Sequence, residues 1–325
     1  SVGQLTMNQL VQDKANSPAT LTNGAQATLA AEKRELVKRW FLVSPAMIII
    51  GLAGLAPLTI ILFYSFMSPG PYAGISFEPT FQAWINLVME EDLFEETLGL
   101  NYAHGSIFAR SIGLALGTTV LTLVIGFPTA YFIATRPLSQ RNFWLFMISL
   151  PFWSNLLVRT FAIMMFIREQ GFVNHVLLYL GVIDKPLNIM FTPTAVWIGL
   201  AYAYLPLMVL PLYASMEKLD FRLVEAAYDL YASRRKVLQK VIIPLVKPGI
   251  VAGSILVFIP SIGAYVTPKI LGGGKSLMLG NLISNQFGTS RDWPLGSALA
   301  LFLMALVMVA LIIYVRNESR NNPDG

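Results

Sequence analysis

Long apolar runs separated by polar stretches dominate the chain. A helix that crosses a bilayer needs about 20 mostly apolar residues, and the apolar segments that meet this requirement contain no Asp or Glu. They are residues 41–66, 108–134, 143–167, 193–216, 241–266 and 295–315. The pattern predicts an all-α polytopic membrane protein with six transmembrane helices.

Composition supports this prediction and narrows the chemistry. Only 13% of the 325 residues are charged, against about 25% in a soluble domain. The chain has no cysteine, which excludes disulfides and thiolate metal sites. Its two histidines, His104 and His175, lie outside the predicted spans, which argues against a metal site or a histidine proton relay. Without paired carboxylates or a Cys/His dyad near the spans, a membrane enzyme is disfavoured.

Basic residues set the predicted orientation. The loop 68–107 has no Lys or Arg but carries six acids, whereas the segment 217–240 carries six basic residues. By the positive-inside rule, both termini and 217–240 are cytoplasmic, and the loops 68–107, 168–192 and 267–294 face outward. The net charge of +5 therefore reports topology, and no nucleic-acid partner is expected.

The chain divides into three predicted regions. Residues 1–32 are polar, lack a signal-peptide pattern and are expected to form a disordered cytoplasmic tail. Residues 33–320 form the six-span domain, and 321–325 a C-terminal tail. In the first outer loop, "FQAWINLVMEEDLFEETL" (81–98) predicts an amphipathic helix that either lies on the membrane or contacts a partner.

The cytoplasmic segment 221–240 has a helical pattern of its own. A polar face with Arg222 and Glu225 three residues apart predicts an ion pair along the helix surface. The pattern breaks at Ala232-Ser233, and a basic run then leads to the next span. The apolar positions at helical spacing are Leu223, Val224, Ala227, Leu230 and Tyr231. The segment is therefore predicted to form two short helices joined by a turn.

This segment resembles the EAA motif of ABC-importer permeases. The family pattern has Glu-Ala-Ala, a Gly four residues later and a Leu-Pro pair before the next span. Tyr231 stands at the Gly position and Ile243 at the Leu position. Because Gly allows a tight turn, Tyr231 predicts a less abrupt end to the helix, with Ala232-Ser233 as a gentler break. The matching residues are Glu225, Ala226, Ala227 and Pro244.

The resemblance implies a type I ABC importer permease fold and a mechanism. In the family, this coupling helix docks on a separate ATP-binding subunit, and its Glu meets a basic residue there. The implied partners are an ATP-binding homodimer that holds ATP and Mg, a second homologous permease, a periplasmic substrate-binding protein and membrane lipid. No cofactor is expected on this chain, and the implied location is the bacterial inner membrane. The residues expected to couple to the ATPase are Glu225, Ala226, Ala227, Asp229, Tyr231 and Pro244.

Three longer stretches resemble the spermidine/putrescine permeases of the PotB/PotH type. They are "LPFWSNLLVRTFA" (150–162), "LGGGKSLMLGNLISNQF" (271–287) and "RDWPLGSA" (291–298). The resemblance implies uptake of a polyamine. Two alternatives stay open: a permease for another amino-bearing or anionic solute, such as an opine or an aminoalkylphosphonate, and an ion-coupled secondary transporter. The latter usually needs intramembrane acids, which the spans lack.

The sequence "GGGKS" (Gly272–Ser276) suggests a phosphate-binding loop. A Walker A loop needs a Gly five residues before the Gly of Gly-Lys-Ser, and that position is Lys269. The segment is also predicted to face outward. These glycines are therefore expected to shape an outer loop.

A polyamine path needs carboxylates, carbonyls or aromatic faces, and the predicted spans offer no carboxylate. Arg159 would repel a polycation, so we expect a structural role in which it bonds helix-end carbonyls or a partner's carboxylate. For an anionic solute, Arg159 would be the leading ligand. The candidate path residues are Trp153, Ser154, Asn155, Arg159, Tyr202, Tyr204 and Tyr265.

Overall fold

The computed structural model describes residues 18–71, 74–91 and 98–321. The chain divides into two compact units, Ser1–Ile60 and Ile61–Gly325. Two antiparallel pairs of strands form, β1 (Met67–Pro69) with β2 (Ile75–Pro79) and β3 (Met89–Glu91) with β4 (Leu98–Leu100). The helices are α1 (Pro18–Tyr64), α2 (Gln82–Val88), α3 (Tyr102–Ala134), α4 (Leu138–Ser149), α5 (Leu156–Ile167), α6 (Phe172–Tyr179), α7 (Pro193–Glu217), α8 (Arg222–Asp229), α9 (Arg234–Val237), α10 (Ile243–Ile262), α11 (Val266–Leu271), α12 (Leu279–Phe287) and α13 (Trp293–Asn321).

The two ends of the chain differ from the sequence prediction. Helix α1 begins at Pro18, so residues 18–32 are helical where a disordered tail was expected. This stretch is rich in Ala, the strongest helix former, and it continues directly into the first apolar segment. Residues 1–17 lie outside the described part of the chain. At the other end α13 extends to Asn321, and residues 322–325 of the predicted tail are likewise outside it.

Five of the described helices are long and apolar enough to cross a membrane. A sixth span exists if Leu138–Trp153, which contains α4, and Leu156–Tyr179, which contains α5 and α6, count as one bent element. This pair covers the predicted third span, residues 143–167, and it bends by 96° at its break. The structure therefore supports five spans or up to six, and the chain is a mostly helical membrane protein.

Helices α3, α7 and α10 form the main core of the second unit. Ile133 of α3, Met208 and Leu212 of α7 and Val257 of α10 belong to one buried cluster. Burying a threonine hydroxyl without a hydrogen-bond partner would be costly. These hydroxyls bond to their own helix, as where Thr118 Oγ1 donates to Leu114 O at 2.8 Å. The core is thus mainly apolar between helices, although Tyr204 of α7 bonds Pro260 O of α10.

Small residues bring α7 and α10 close together. A Cβ added at Gly249 would lie 2.5 Å from Ser215 Cβ and 2.7 Å from Pro211 O, and one added at Gly253 would lie 2.8 Å from Met208 Sδ. Gly249 and Gly253 are four residues apart, the small-xxx-small spacing by which membrane helices approach closely. The sequence "GIVAG" (249–253) carries this spacing and is the signal that could have predicted the close approach.

The first outer loop is folded differently from the expectation. The amphipathic helix predicted over 81–98 is limited to α2 and is followed by β3, while residues 92–97 lie outside the described part. Ala83 and Leu87 of α2 are buried in a cluster with Leu295 and Leu299 of α13. The apolar face of α2 therefore packs against α13. Because the two helices are far apart in the sequence, periodicity alone could not predict this contact.

Helix α3 is longer than predicted at its outer end. It begins at Tyr102 instead of residue 108, so His104 belongs to a candidate span and not to a loop. The Asn101 side chain caps the helix by accepting from His104 N at 2.9 Å. His104 is buried, and its Nδ1 lies 3.4 Å from Leu87 O. Its contacts tie α2 to α3.

Candidate functional site

The short helix α8 is anchored in the main core by one face. Val224 of α8 and Val237 of α9 are buried in the same cluster as Leu212 and Ile242. At the start of α8, Asp220 Oδ1 accepts a hydrogen bond from Arg222 N at 3.0 Å. Movement of α8 is therefore directly linked to the packing of the long helices.

The opposite face of α8 is exposed in the described part of the chain. Glu225, Ala226 and Asp229 are exposed, and Ala227 is half-buried beside the core. Among the described residues, Glu225 has no ion-pair partner within 4.0 Å, so the predicted pair with Arg222 does not form. The helix presents a carboxylate and a small residue together on one accessible surface.

Tyr231 forms the turn after α8, contrary to the sequence prediction. Its φ is 57°, in the left-handed region. Tyr231 N donates to Tyr228 O at 2.9 Å and Ala232 N to Ala227 O at 3.1 Å, the hydrogen bonds of a Schellman motif. The helix thus ends as sharply as with Gly, although a left-handed L-residue costs about 1–2 kcal/mol. Backbone hydrogen bonds and the anchors on either side outweigh that preference.

Pro244 lies where the segment after α8 joins the long helix α10. Residues Leu238–Ile242 form a π-turn, closed by a hydrogen bond from Ile243 N to Leu238 O. Pro244 has no N–H and follows directly, so it favours a departure from regular α-helical bonding here. The helical path is nevertheless continuous from Arg234 to Ile262. The segment after Tyr231 is therefore one rod that runs from the turn after α8 into a candidate span.

The break in the third span lies between α4 and α5. Pro151 begins a 3-10 turn over Leu150–Trp153, and Asn155 Oδ1 caps α5 by accepting from Leu157 N at 2.8 Å. Ser154 Oγ donates to Pro151 O at 2.7 Å. These local bonds satisfy the backbone where the helix is interrupted, as an interruption at membrane depth requires.

Arg159 connects this break to α7. Its guanidinium donates through Nη2 to Ser154 O at 3.0 Å and through Nη1 to Ala203 O at 3.3 Å, and the residue is only 9% exposed. Ser154 ends the 3-10 turn, so its oxygen is a helix-end carbonyl of the kind predicted, whereas Ala203 lies within α7. Its Nε has no hydrogen-bond partner in the described part of the chain. The guanidinium carbon also lies 5.9 Å from the centre of the Phe152 ring.

The structure brings some of the predicted path residues together. Arg159 links Ser154 to Ala203, which lies between Tyr202 and Tyr204 in α7. Trp153 is 86% exposed at the break. Tyr204 is directed elsewhere, since its hydroxyl donates to Pro260 O at 3.4 Å. Tyr265 is half exposed beyond the end of α10, and no ring contact among the described residues joins it to the others.

A cleft that the sequence did not predict opens beside α8. It has a volume of about 650 Å³ and lies between the ends of α7 and α10. Ser215, Lys218 and Asp220 contribute its polar groups, and Leu223 and Leu245 are among its apolar ones. The described residues contain no group of three or more His, Cys, Asp or Glu side chains that could hold a metal ion. Neither the cleft nor the break thus offers a metal centre there.

Several long apolar helices, a broken span and a short helix exposed at one end of the bundle define a multi-span membrane transport component. Residues 123–322 match the family described as "Binding-protein-dependent transport system inner membrane component". The match covers more than half of the chain, and the chain belongs to this family. It is therefore a transporter subunit and not an enzyme.

Individual relatives of the chain are described more specifically than the family. The chain is 46% identical over 210 residues to a spermidine/putrescine transport system permease protein PotB of Salmonella typhimurium (strain SL1344), covering 65% of this chain and 73% of the relative. It is 36% identical over 262 residues to PotB of Haemophilus influenzae, covering 81% and 87%. The fold also resembles a bacterial ABC transporter involved in the import of the acidic polysaccharide alginate, with a TM-score of 0.59, 16% identity, and 89% and 99% coverage.

Proposed function

We propose that this chain takes up polyamines as a permease subunit of an ATP-driven importer and is driven through α8. The exposed Glu225 and Ala226 carry the proposal, because the same short helix is fixed to the core by Val224. A force applied to the exposed face would be transmitted through α8 to the rod Arg234–Ile262. Alternating access by two packed arrangements of the spans is then driven from the cytoplasm.

The relatives named for spermidine/putrescine transport support a polyamine as the solute. A flexible polycation can be held by aromatic faces and carbonyl oxygens where carboxylates are missing. Trp153, Tyr202 and Tyr265 keep exposed rings, whereas the positive charge of Arg159 is buried against carbonyls. An anionic solute is the second candidate, favoured by the unpartnered Nε of Arg159.

The proposal includes partners and a topology. α4 and α5 together form the third of six spans, and both termini face the cytoplasm of a bacterium whose inner membrane holds the complex. A separate homodimer binds ATP and Mg and contacts α8. A second homologous permease completes the path, and a periplasmic binding protein delivers the solute to it.

The coupling role is tested by Glu225→Arg in the full complex. Reversing the charge on the exposed face is expected to weaken ATPase association by about tenfold or more, since a mispaired charge at an interface costs several kcal/mol. Glu169→Arg is the matched control, because it makes the same change at another exposed glutamate, in an outer loop. Equal association of both variants with the ATPase would refute the coupling role.

The solute is tested by uptake into proteoliposomes that contain both permeases, the ATPase and the binding protein. Labelled spermidine is expected to accumulate only with ATP and to be displaced by putrescine. Displacement by an aminoalkylphosphonate instead would establish the anionic candidate. Accumulation by this chain alone on an ion gradient, without ATP, would indicate a secondary transporter.

A further inference from the structure

The end of α8 carries an apolar tip formed by Leu230 and Tyr231. Leu230 is 82% and Tyr231 98% exposed, although both are large side chains. They directly follow α8, which carries the exposed Glu225 and Ala226: Leu230 is its C-cap and Tyr231 lies in the turn after it. These two consecutive side chains at the end of α8 leave most of their surface available for contact with another molecule.

The backbone holds this tip in a defined direction. Tyr231 adopts a left-handed conformation in the turn that ends α8. Two hydrogen bonds hold this turn, one from Tyr231 N and one from Ala232 N. A residue kept in an unfavourable conformation motivates a functional explanation. Preorganisation of this kind reduces the entropy lost on binding, and Tyr is enriched among the residues that dominate binding energy at interfaces.

We propose that Tyr231, with Leu230, is an apolar anchor that inserts into a pocket of the ATPase subunit and makes its association with this permease selective. The inference rests on the proposed coupling function of α8. Tyr231 belongs to the same rigid element as Glu225, so a partner that covers one reaches the other. A lipid surface is the weaker occupant, because contact with fluid lipid requires no fixed side-chain direction.

The first test separates the anchor from the backbone conformation. Tyr231→Gly and Tyr231→Asn both suit a left-handed position but remove the ring, whereas Tyr231→Phe keeps it. In the full chain assembled with its partner permease, Gly and Asn are expected to weaken ATPase binding about tenfold or more, with the permease Tm unchanged or raised. Phe is expected to stay within about threefold.

Two results would overturn the anchor. Binding by Tyr231→Gly within about twofold of the native chain would show that the ring contributes little. A loss by Tyr231→Phe as large as that of Tyr231→Gly would show that the ring face is not the contact. Glu225→Arg tests the underlying proposal: if it also binds normally, the coupling role fails, and if it alone abolishes binding, only the anchor fails.

The second test locates the occupant. The chain contains no cysteine, so Leu230→Cys gives a single site for a water-soluble maleimide. Labelling is expected to slow about tenfold or more at saturating ATPase. Thr135→Cys, an exposed site on the loop between α3 and α4, is the control and should label at an unchanged rate. Protection of Leu230→Cys by the bilayer without ATPase would identify lipid as the occupant and overturn the proposal.

Discussion

The close approach of α7 and α10 can be tested with one added methyl group. Gly249→Ala places a Cβ at 2.5 Å from Ser215 Cβ and 2.7 Å from Pro211 O, distances that real Cβ atoms essentially never show. The Pro211 oxygen belongs to the backbone, so a rotamer change cannot relieve its contact. The helices must separate, and overpacking of this kind costs about 1–3 kcal/mol.

Replacing Gly by Ala also favours the helix by about 1 kcal/mol, so a control must remove that contribution. Gly113→Ala makes the same change in α3, where an added Cβ has nothing within 4 Å. The free energy of unfolding of Gly249→Ala should therefore fall about 1–3 kcal/mol below that of Gly113→Ala. Since 1 kcal/mol corresponds to about 2–4 °C in domains of 150–250 residues, thermal unfolding in detergent should separate them by several degrees.

A rescue variant sharpens this measurement. Ser215→Gly combined with Gly249→Ala removes the Ser215 Cβ contact but leaves Pro211 O in place, so only part of the Tm is expected to return. The reasoning is refuted if Gly249→Ala melts at or above Gly113→Ala. Full recovery by the double variant would show that the Pro211 oxygen does not restrict the approach.

Three further outcomes are expected. Trp153→Ala should raise the KM for polyamine about 2- to 30-fold, the range of a cation–π contact, without lowering Tm because Trp153 is exposed; an unchanged KM would remove it from the path. Asn174→Ala should destabilise the segment 168–187 by about 2–4 kcal/mol, because the buried Asn174 Nδ2 shares its two hydrogens among three carbonyls and Oδ1 accepts from Leu187 N; proteolysis at native rates would contradict this. Arg159→Lys should lower Tm more than Arg110→Lys, because the buried Arg159 bridges two carbonyls whereas the half-buried Arg110 bonds one; equal shifts would show that the bridge has little effect.

The membrane helices were largely predictable, because a helix surrounded by lipid needs a continuous run of about 20 apolar residues, which is visible in the sequence. Runs free of acids located all five long apolar helices within a few residues. The break at Ser154 coincides with Pro151 and with the helix cap Asn155. Its 96° bend could not be predicted from them, since a bridge from Arg159 to Ala203 of another helix accompanies it.

The coupling segment shows the opposite limit. Local preference predicted that Tyr231 would soften the turn, but the structure places it in the Gly-like conformation. The reason is non-local: Val224 and Val237, on either side, are buried in one core cluster, and this fixes the path of the chain between them. The exposure of Glu225 was likewise unavailable from spacing, which predicted a pair with Arg222.

The π-turn at Leu238–Ile242 gives the segment one place where its length can change. An α-helix turns about 100° per residue, and the helical path is continuous from Arg234 to Ile262. A π-turn closes one turn with one residue more than an α-helix, so deleting a residue from Leu238–Ile242 would restore ordinary α-helical bonding and leave both flanks facing nearly the same way. Deleting a residue from the regular part of the rod would instead rotate everything before it by about 100°, and α8 would point its carboxylate in a new direction.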